Sequence, residues 1–163
     1  MTPAAVADVS SQLRALSRML ADPARELAAY GPHRAGGRHP AATRRRLAEL
    51  AQALRSVEVS AEAVGGALLT YAYAEAKLVH DEAALAVAAG AAGLGVHGAR
   101  VTPLPGIRGL ADPAEVARAA TLRDVFTAQA SVVAQRRREE SATLQAALAR
   151  HTHAVQVVAD SLR

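Results

Sequence analysis

The residues of this chain that could do chemistry begin with its six histidines. His151-Thr152-His153 is the only close pair. Residues two apart on a helix point in different directions, so this pair makes a poor chelate. No Glu-x-x-His pair is present, so the di-iron bundle pattern is missing. Gly93-Leu94-Gly95-Val96-His97-Gly98 is rich in glycine, but no strand is expected before it and no Gly-Lys-Ser or Gly-Lys-Thr accompanies it. No serine sits in a Gly-x-Ser-x-Gly setting. Asp81-Glu82 and Glu139-Glu140 are adjacent in sequence and diverge on a helix. Arg44-Arg45-Arg46 and Arg136-Arg137-Arg138 could contact phosphates. Three consecutive residues cover most of a turn, however, and Glu49, Glu139 and Glu140 stand close enough to pair with them. The reading is therefore of a chain without catalytic residues, bound cofactor or metal, and with nucleic acid as a lesser prospect.

What remains is helix packing. The chain has 163 residues and a net charge of +4, carried by arginine with one lysine, Lys77. It has one Phe, three Tyr, no Trp and no Cys. Absence of cysteine removes disulfides and thiolate metal sites. Alanine dominates the apolar residues; it is the best helix former and the smallest apolar side chain. Few aromatics mean a thin core of Leu and Val seams, which suits long paired helices or an oligomer. No basic stretch followed by an apolar run opens the chain, so no conventional signal peptide is expected. The Ala83–Val96 stretch is shorter than the roughly 20 residues a membrane span needs. The expected location is the cytoplasm.

The expected fold class is all-α: an elongated helical hairpin with a third long C-terminal helix, bundle- or coiled-coil-like. Thr2-Pro3 is a helix start, a cap followed by a first-turn proline. Val6, Val9, Leu13, Leu16, Leu20 and Leu27 then form one stripe near the coiled-coil period. Asp22-Pro23 predicts a kink or a restart, because proline removes a helical hydrogen bond. Tyr30 to Pro40 reads as a loop, punctuated by Gly31, Pro32, Gly36 and Gly37. The second helix starts near Pro40. Its stripe is Leu47, Leu50, Leu54, Val57, Ala61, Val64, Leu68 and Tyr71, then Leu78 and Leu85. Gly65-Gly66 in its middle predicts a close helix contact, or else a kink. Gly90 to Ala111, with Pro103 and Pro105, reads as a connector. Asp112-Pro113-Ala114-Glu115 starts a third helix in the order cap, proline, acid. That helix carries Leu122, Val125, Phe126, Val132, Val133, Leu144, Leu148, Val155, Val158 and Leu162. Its polar stretch Gln135–Ser141 is expected to be solvated all round or to lie beyond its partner helices. The domains so read are 1–90, a hairpin; 91–111, a connector; and 112–163, a helix packing on the hairpin. The helix-pairing interface is expected at Leu13, Leu16, Leu20, Leu47, Leu50, Leu54, Val57, Val64 and Leu68.

One constellation resembles a known family. A helix, a glycine-containing loop led by an aromatic residue, and a second helix carrying a Tyr-x-x-x-Glu pattern resemble the WXG-type proteins. These are the Esx-like and EspC-like helical hairpins of actinobacterial type VII secretion systems. The resemblance covers about residues 4–90 and is best over residues 44–76. It implies that Tyr71 and Glu75 form half of a bipartite export signal. Tyr30 and Gly31 would stand in the hairpin loop where the family has Trp-x-Gly; here the aromatic is Tyr and the Gly follows it directly. Residues 91–163 extend beyond the family hairpin. The resemblance implies a non-enzymatic substrate or component of the secretion system, exported without a conventional signal peptide. It implies a homodimer, a heterodimer with a partner protein, or a higher oligomer. The other readings of the same stripes are an intracellular scaffold, assembly chaperone or phage-type structural subunit, and, further off, a basic nucleic-acid-associated protein.

Overall fold

In a computed structural model of the chain, residues 2–33, 41–104 and 112–163 are described. Three helices dominate: α1 (Pro3–His33), α2 (Ala41–Ala91) and α3 (Pro113–Ser161). Between α2 and α3 lies one antiparallel pair of short strands, β1 (Leu94–His97) and β2 (Arg100–Pro103). The class is all-α, as the alanine content and heptad stripes require.

The helix starts follow their caps. Thr2 accepts from the Ala5 N–H through its hydroxyl at 3.3 Å. Asp112 accepts from the Ala114 N–H through its carboxylate at 3.0 Å, and its carbonyl takes the Glu115 and Val116 N–H groups at 2.8 and 3.1 Å. Each cap satisfies donors that a helix N-terminus would otherwise leave unpaired.

One expectation about breaks is narrowed and one is corrected. α1 runs on through Asp22-Pro23 to His33, so of the expected kink or restart the restart does not occur. Ser17 and Ala24, on either side of the proline, are both buried. Packing on both flanks outweighs the roughly 3 kcal/mol that an interior proline removes. Tyr30 to His33, expected as loop, are the last turn of α1. The remainder of that loop, residues 34–40, lies outside the described residues.

The expected connector at Gly90–Ala111 is in part ordered secondary structure. Gly93 adopts φ 73°, and its N–H donates to the Gly90 carbonyl at 3.0 Å. This left-handed glycine terminates α2. The chain then forms the hairpin, pairing Leu94 with Pro103 and Val96 with Val101. Gly98, at φ 61°, is the first turn residue, and no non-glycine residue among those described has positive φ. That is the sign pattern of a II′ turn, whose twist suits a two-residue hairpin. The glycine-rich run Gly93–Gly98 is thus β1 and the two turns that bound it. Residues 105–111 lie outside the described residues.

The chain divides into two units: Met1–Ala72 with Thr143–Arg163, and Tyr73–Ala142. The division falls within α2 and α3, not at the glycine-rich segment. In the first unit Val6, Leu68 and Ala72 form a buried cluster with Leu13, Val64, Tyr71 and Leu144 packed on it. α1 runs antiparallel to α2 there: Ser10 donates to the Gly65 carbonyl at 2.6 Å, and Arg14 pairs with Glu62 at 3.1 Å. Gly65 is the close helix contact expected from sequence. A Cβ built on it would lie 2.7 Å from Arg14 Cγ and 3.2 Å from the Ser10 carbonyl oxygen. At the other end Arg46 donates to the Leu162 carbonyl at 2.7 Å, closing an orphan acceptor at the end of α3. In the second unit Leu85, Ala89 and Ala130 of the helices are buried with Leu94 and Val101 of the hairpin; Val96 and Phe126 pack on them.

Candidate functional site

The helix-pairing residues fall into two groups. Leu68 is buried. Leu13, Leu20, Leu47, Leu50, Leu54, Val57 and Val64 are half-buried, and Leu16 is exposed. Leu13, Leu16, Val57 and Val64 meet along one groove of about 340 Å³, whose far wall is Leu148 and Val155 of α3. His151, Thr152 and Gln156 supply its polar margin. Residues of the α1 and α2 stripes thus line one groove with α3, and it is not sealed.

The packing is thin throughout. Among the described residues, the buried large apolar side chains are six: Val6, Leu68, Leu78, Leu85, Leu94 and Val101. The other buried apolar residues are all alanine. Among the described residues fourteen large apolar ones are exposed, so more of these Leu and Val lie exposed than fully buried. Within the second unit, Leu122, Val125 and Val132 of α3 are all exposed. They recur at spacings of three and seven and so line one face of the helix.

The two halves of the expected export signal have separate surroundings. Tyr71 is half-buried against the Val6–Leu68–Ala72 cluster of the first unit. Glu75 belongs to the second unit, and its side chain is only 17% exposed because Arg137 covers it. Tyr30 and Gly31 lie in the last turn of α1.

Arg137 is the principal feature that the sequence reading missed. It does not float in a solvated polar stretch; it reaches carboxylates on α2. Its Nη1 and Nη2 donate to Glu82 at 2.6 and 3.1 Å, and its Nε donates to Glu75 at 3.2 Å. The guanidinium fork thus holds two carboxylates of α2 at once, a geometry lysine could not reproduce. Hydrogen bonding to Glu82, and then to Glu75, raises the Arg137 pKa above its ordinary value, against the opposing effect of burial. The hint in the sequence is that Glu75 and Glu82 are seven apart, on one face of α2. Which residue of α3 meets that face depends on how α3 returns. The i,i+3 and i,i+4 pairing expected at the first arginine run does occur: Arg45 and Arg46 both reach Glu49, at 3.0 and 3.4 Å.

His151 is half-buried at the groove margin and His153 is exposed. No group of three or more His, Asp or Glu placed to hold a metal occurs among the described residues. Among them, too, no helix is long and apolar enough to cross a membrane. No protein-family model matches the chain, and no curated protein or solved structure matches it either.

Proposed function

We propose that this chain is a non-catalytic helical protein that works by pairing its exposed helix faces with another protein chain, as a component or substrate of a type VII secretion system. The observation that carries the pairing is the apolar imbalance: six large apolar residues buried and fourteen exposed. A face bearing Leu122, Val125 and Val132 is stabilised when a second chain removes it from water, by about 25 cal/mol per Å² of apolar area. The secretion part of the reading rests on the resemblance of residues 4–90 to Esx-like and EspC-like hairpins, and on Tyr71 and Glu75 lying one turn apart.

The pairing is tested by sedimentation of the purified chain, alone and co-expressed with the products of its neighbouring genes. The expected result is a homodimer or a stoichiometric complex that Leu122→Glu with Val125→Glu dissociates. A monomer under all conditions at tens of micromolar overturns it. Export is tested in an actinobacterial host with and without its secretion ATPase. The informative variant is Tyr71→Phe, which keeps the packing of the ring while removing its hydroxyl, beside Glu75→Gln.

One observation favours a second reading. Tyr71 packs in a core and Glu75 is held by Arg137, so both are engaged in folding. An intracellular scaffold would use them in that way alone. Retention in the cytosol of every strain in the export experiment selects this reading.

A further inference from the structure

We propose that the groove between α2 and α3 in the first unit is the docking site for an acidic amphipathic helix of a partner protein. The groove measures about 740 Å³. Arg55 of α2 and Arg150 of α3 both line it, with the His151 ring beside them. No acidic residue lines it. Seven other described arginines meet a carboxylate and six do not; among those that do, Arg14 has Glu62, Arg45 and Arg46 share Glu49, and Arg137 has Glu75 and Glu82. Arg55 and Arg150 meet none among the described residues. Two like charges directed to one concavity repel each other, and an anionic occupant converts that repulsion into two charge-assisted hydrogen bonds.

The rest of the lining says what carries the anions. Val59 is 63% exposed, Ala48 and Ala154 stand with it on the two helices, and Gln52, Ser56 and Ser60 complete the lining. Small side chains on two adjacent helices let the backbone of a third approach closely. Ala48 to Val59 spans three turns of α2, about 17 Å at 1.5 Å per residue. An amphipathic helix of similar length would set an apolar seam on Val59 and the alanines, with Glu or Asp flanking it toward Arg55 and Arg150. Nucleic acid fits less well. Two cations neutralise only two phosphates, and no Phe, Tyr or Trp lines the groove for base stacking.

This inference rests on the helix-pairing reading only in taking a helix as the occupant, and it uses a different surface from the Leu122 face. The test measures fluorescence anisotropy of a labelled synthetic helix, with a Leu/Ala seam and Glu flanks, titrated with the full chain. A twin peptide carries Gln for every Glu. The expected result is binding of the Glu peptide at least about tenfold tighter than its twin at low salt, with the difference shrinking as salt screens it. Arg55→Gln with Arg150→Gln abolishes the preference. Arg55→Glu with Arg150→Glu transfers it to a Lys-flanked peptide, which shows that the exposed substitutions leave the fold intact. Equal binding of the two peptides, no binding of either, or a preference that survives Arg55→Gln with Arg150→Gln overturns the proposal. So does tighter, Arg55- and Arg150-dependent binding of a DNA duplex. Any of these outcomes beside an intact oligomer in the sedimentation experiment overturns this docking site alone and leaves the pairing reading standing.

Discussion

Two adjacent glycines in α2 meet opposite surroundings. A Cβ on Gly65 would press on Arg14 Cγ at 2.7 Å and on the Ser10 carbonyl at 3.2 Å, whereas Gly66 has nothing within 4 Å. The arginine stem can swing aside, but the Ser10 backbone cannot. Gly65→Ala is therefore expected to destabilise the first unit by about 1 kcal/mol, overpacking exceeding the gain in helix propensity. Gly66→Ala is expected to stabilise by about 0.5–1 kcal/mol. Thermal melts of the two variants, shifted in opposite directions, would check the assignment; equal shifts would refute the close contact at Gly65. Arg137→Met is expected to destabilise the second unit by about 1–2 kcal/mol. The pair is too exposed for a fully buried value, but the variant leaves Glu75 facing Glu82 without a cation. Because the Arg137 pKa is raised, its contribution is present below the ordinary arginine range and is lost only as pH rises through the raised value. The difference in urea midpoint between wild type and Arg137→Met should thus stay constant from about pH 6 to pH 10.

Among the elements, α1 carries the sharpest conflict between local preference and packing. Pro23 lies inside a helix of 31 residues, although its ring and missing N–H oppose helix there. Pro23→Ala is expected to stabilise the chain by about 1–2 kcal/mol, since the buried Ser17 and Ala24 already hold the helical path. Urea denaturation measures it; a destabilised variant would mean that the proline is needed where it is. The hairpin shows the reverse case. Leu94, Val96 and Val101 alternate as a half-buried sheet should, and Gly98 supplies its turn. The signal lay in the chain, but four residues per strand is too short a run to stand out against the glycines and prolines around it. The hairpin forms because the helices offer Leu85, Ala89 and Ala130 for Leu94 and Val101 to cover.

For the molecule as a whole, the governing fact is the scarcity of large buried side chains. Seven of the thirteen buried apolar residues among those described are alanine, each removing little area from water. Such a core stabilises weakly by itself, and in the proposed pairing a second chain would add apolar burial. The melting temperature is accordingly expected to rise with protein concentration, or on addition of the partner, and to become independent of concentration in the Leu122→Glu, Val125→Glu variant. A melting temperature flat from about 1 to 100 micromolar, and unmoved by any candidate partner, would show that the thin core suffices.

The all-α class, the three helices and their capped starts at Thr2 and Asp112 follow from local chemistry. Heptad spacing, alanine propensity and cap residues act within a turn or two of the chain, so the linear order of residues carries them. The contact at Gly65 was visible for the same reason, because glycine inside a helix needs a nearby cause. The continuity of α1 through Pro23, the clamp of Arg137 on Glu75 and Glu82, and the unpaired Arg55 and Arg150 were settled by tertiary structure alone. Each depends on which residue of a distant helix arrives opposite. That register is fixed by the summed packing of many weak apolar contacts, and no short stretch of sequence contains the sum.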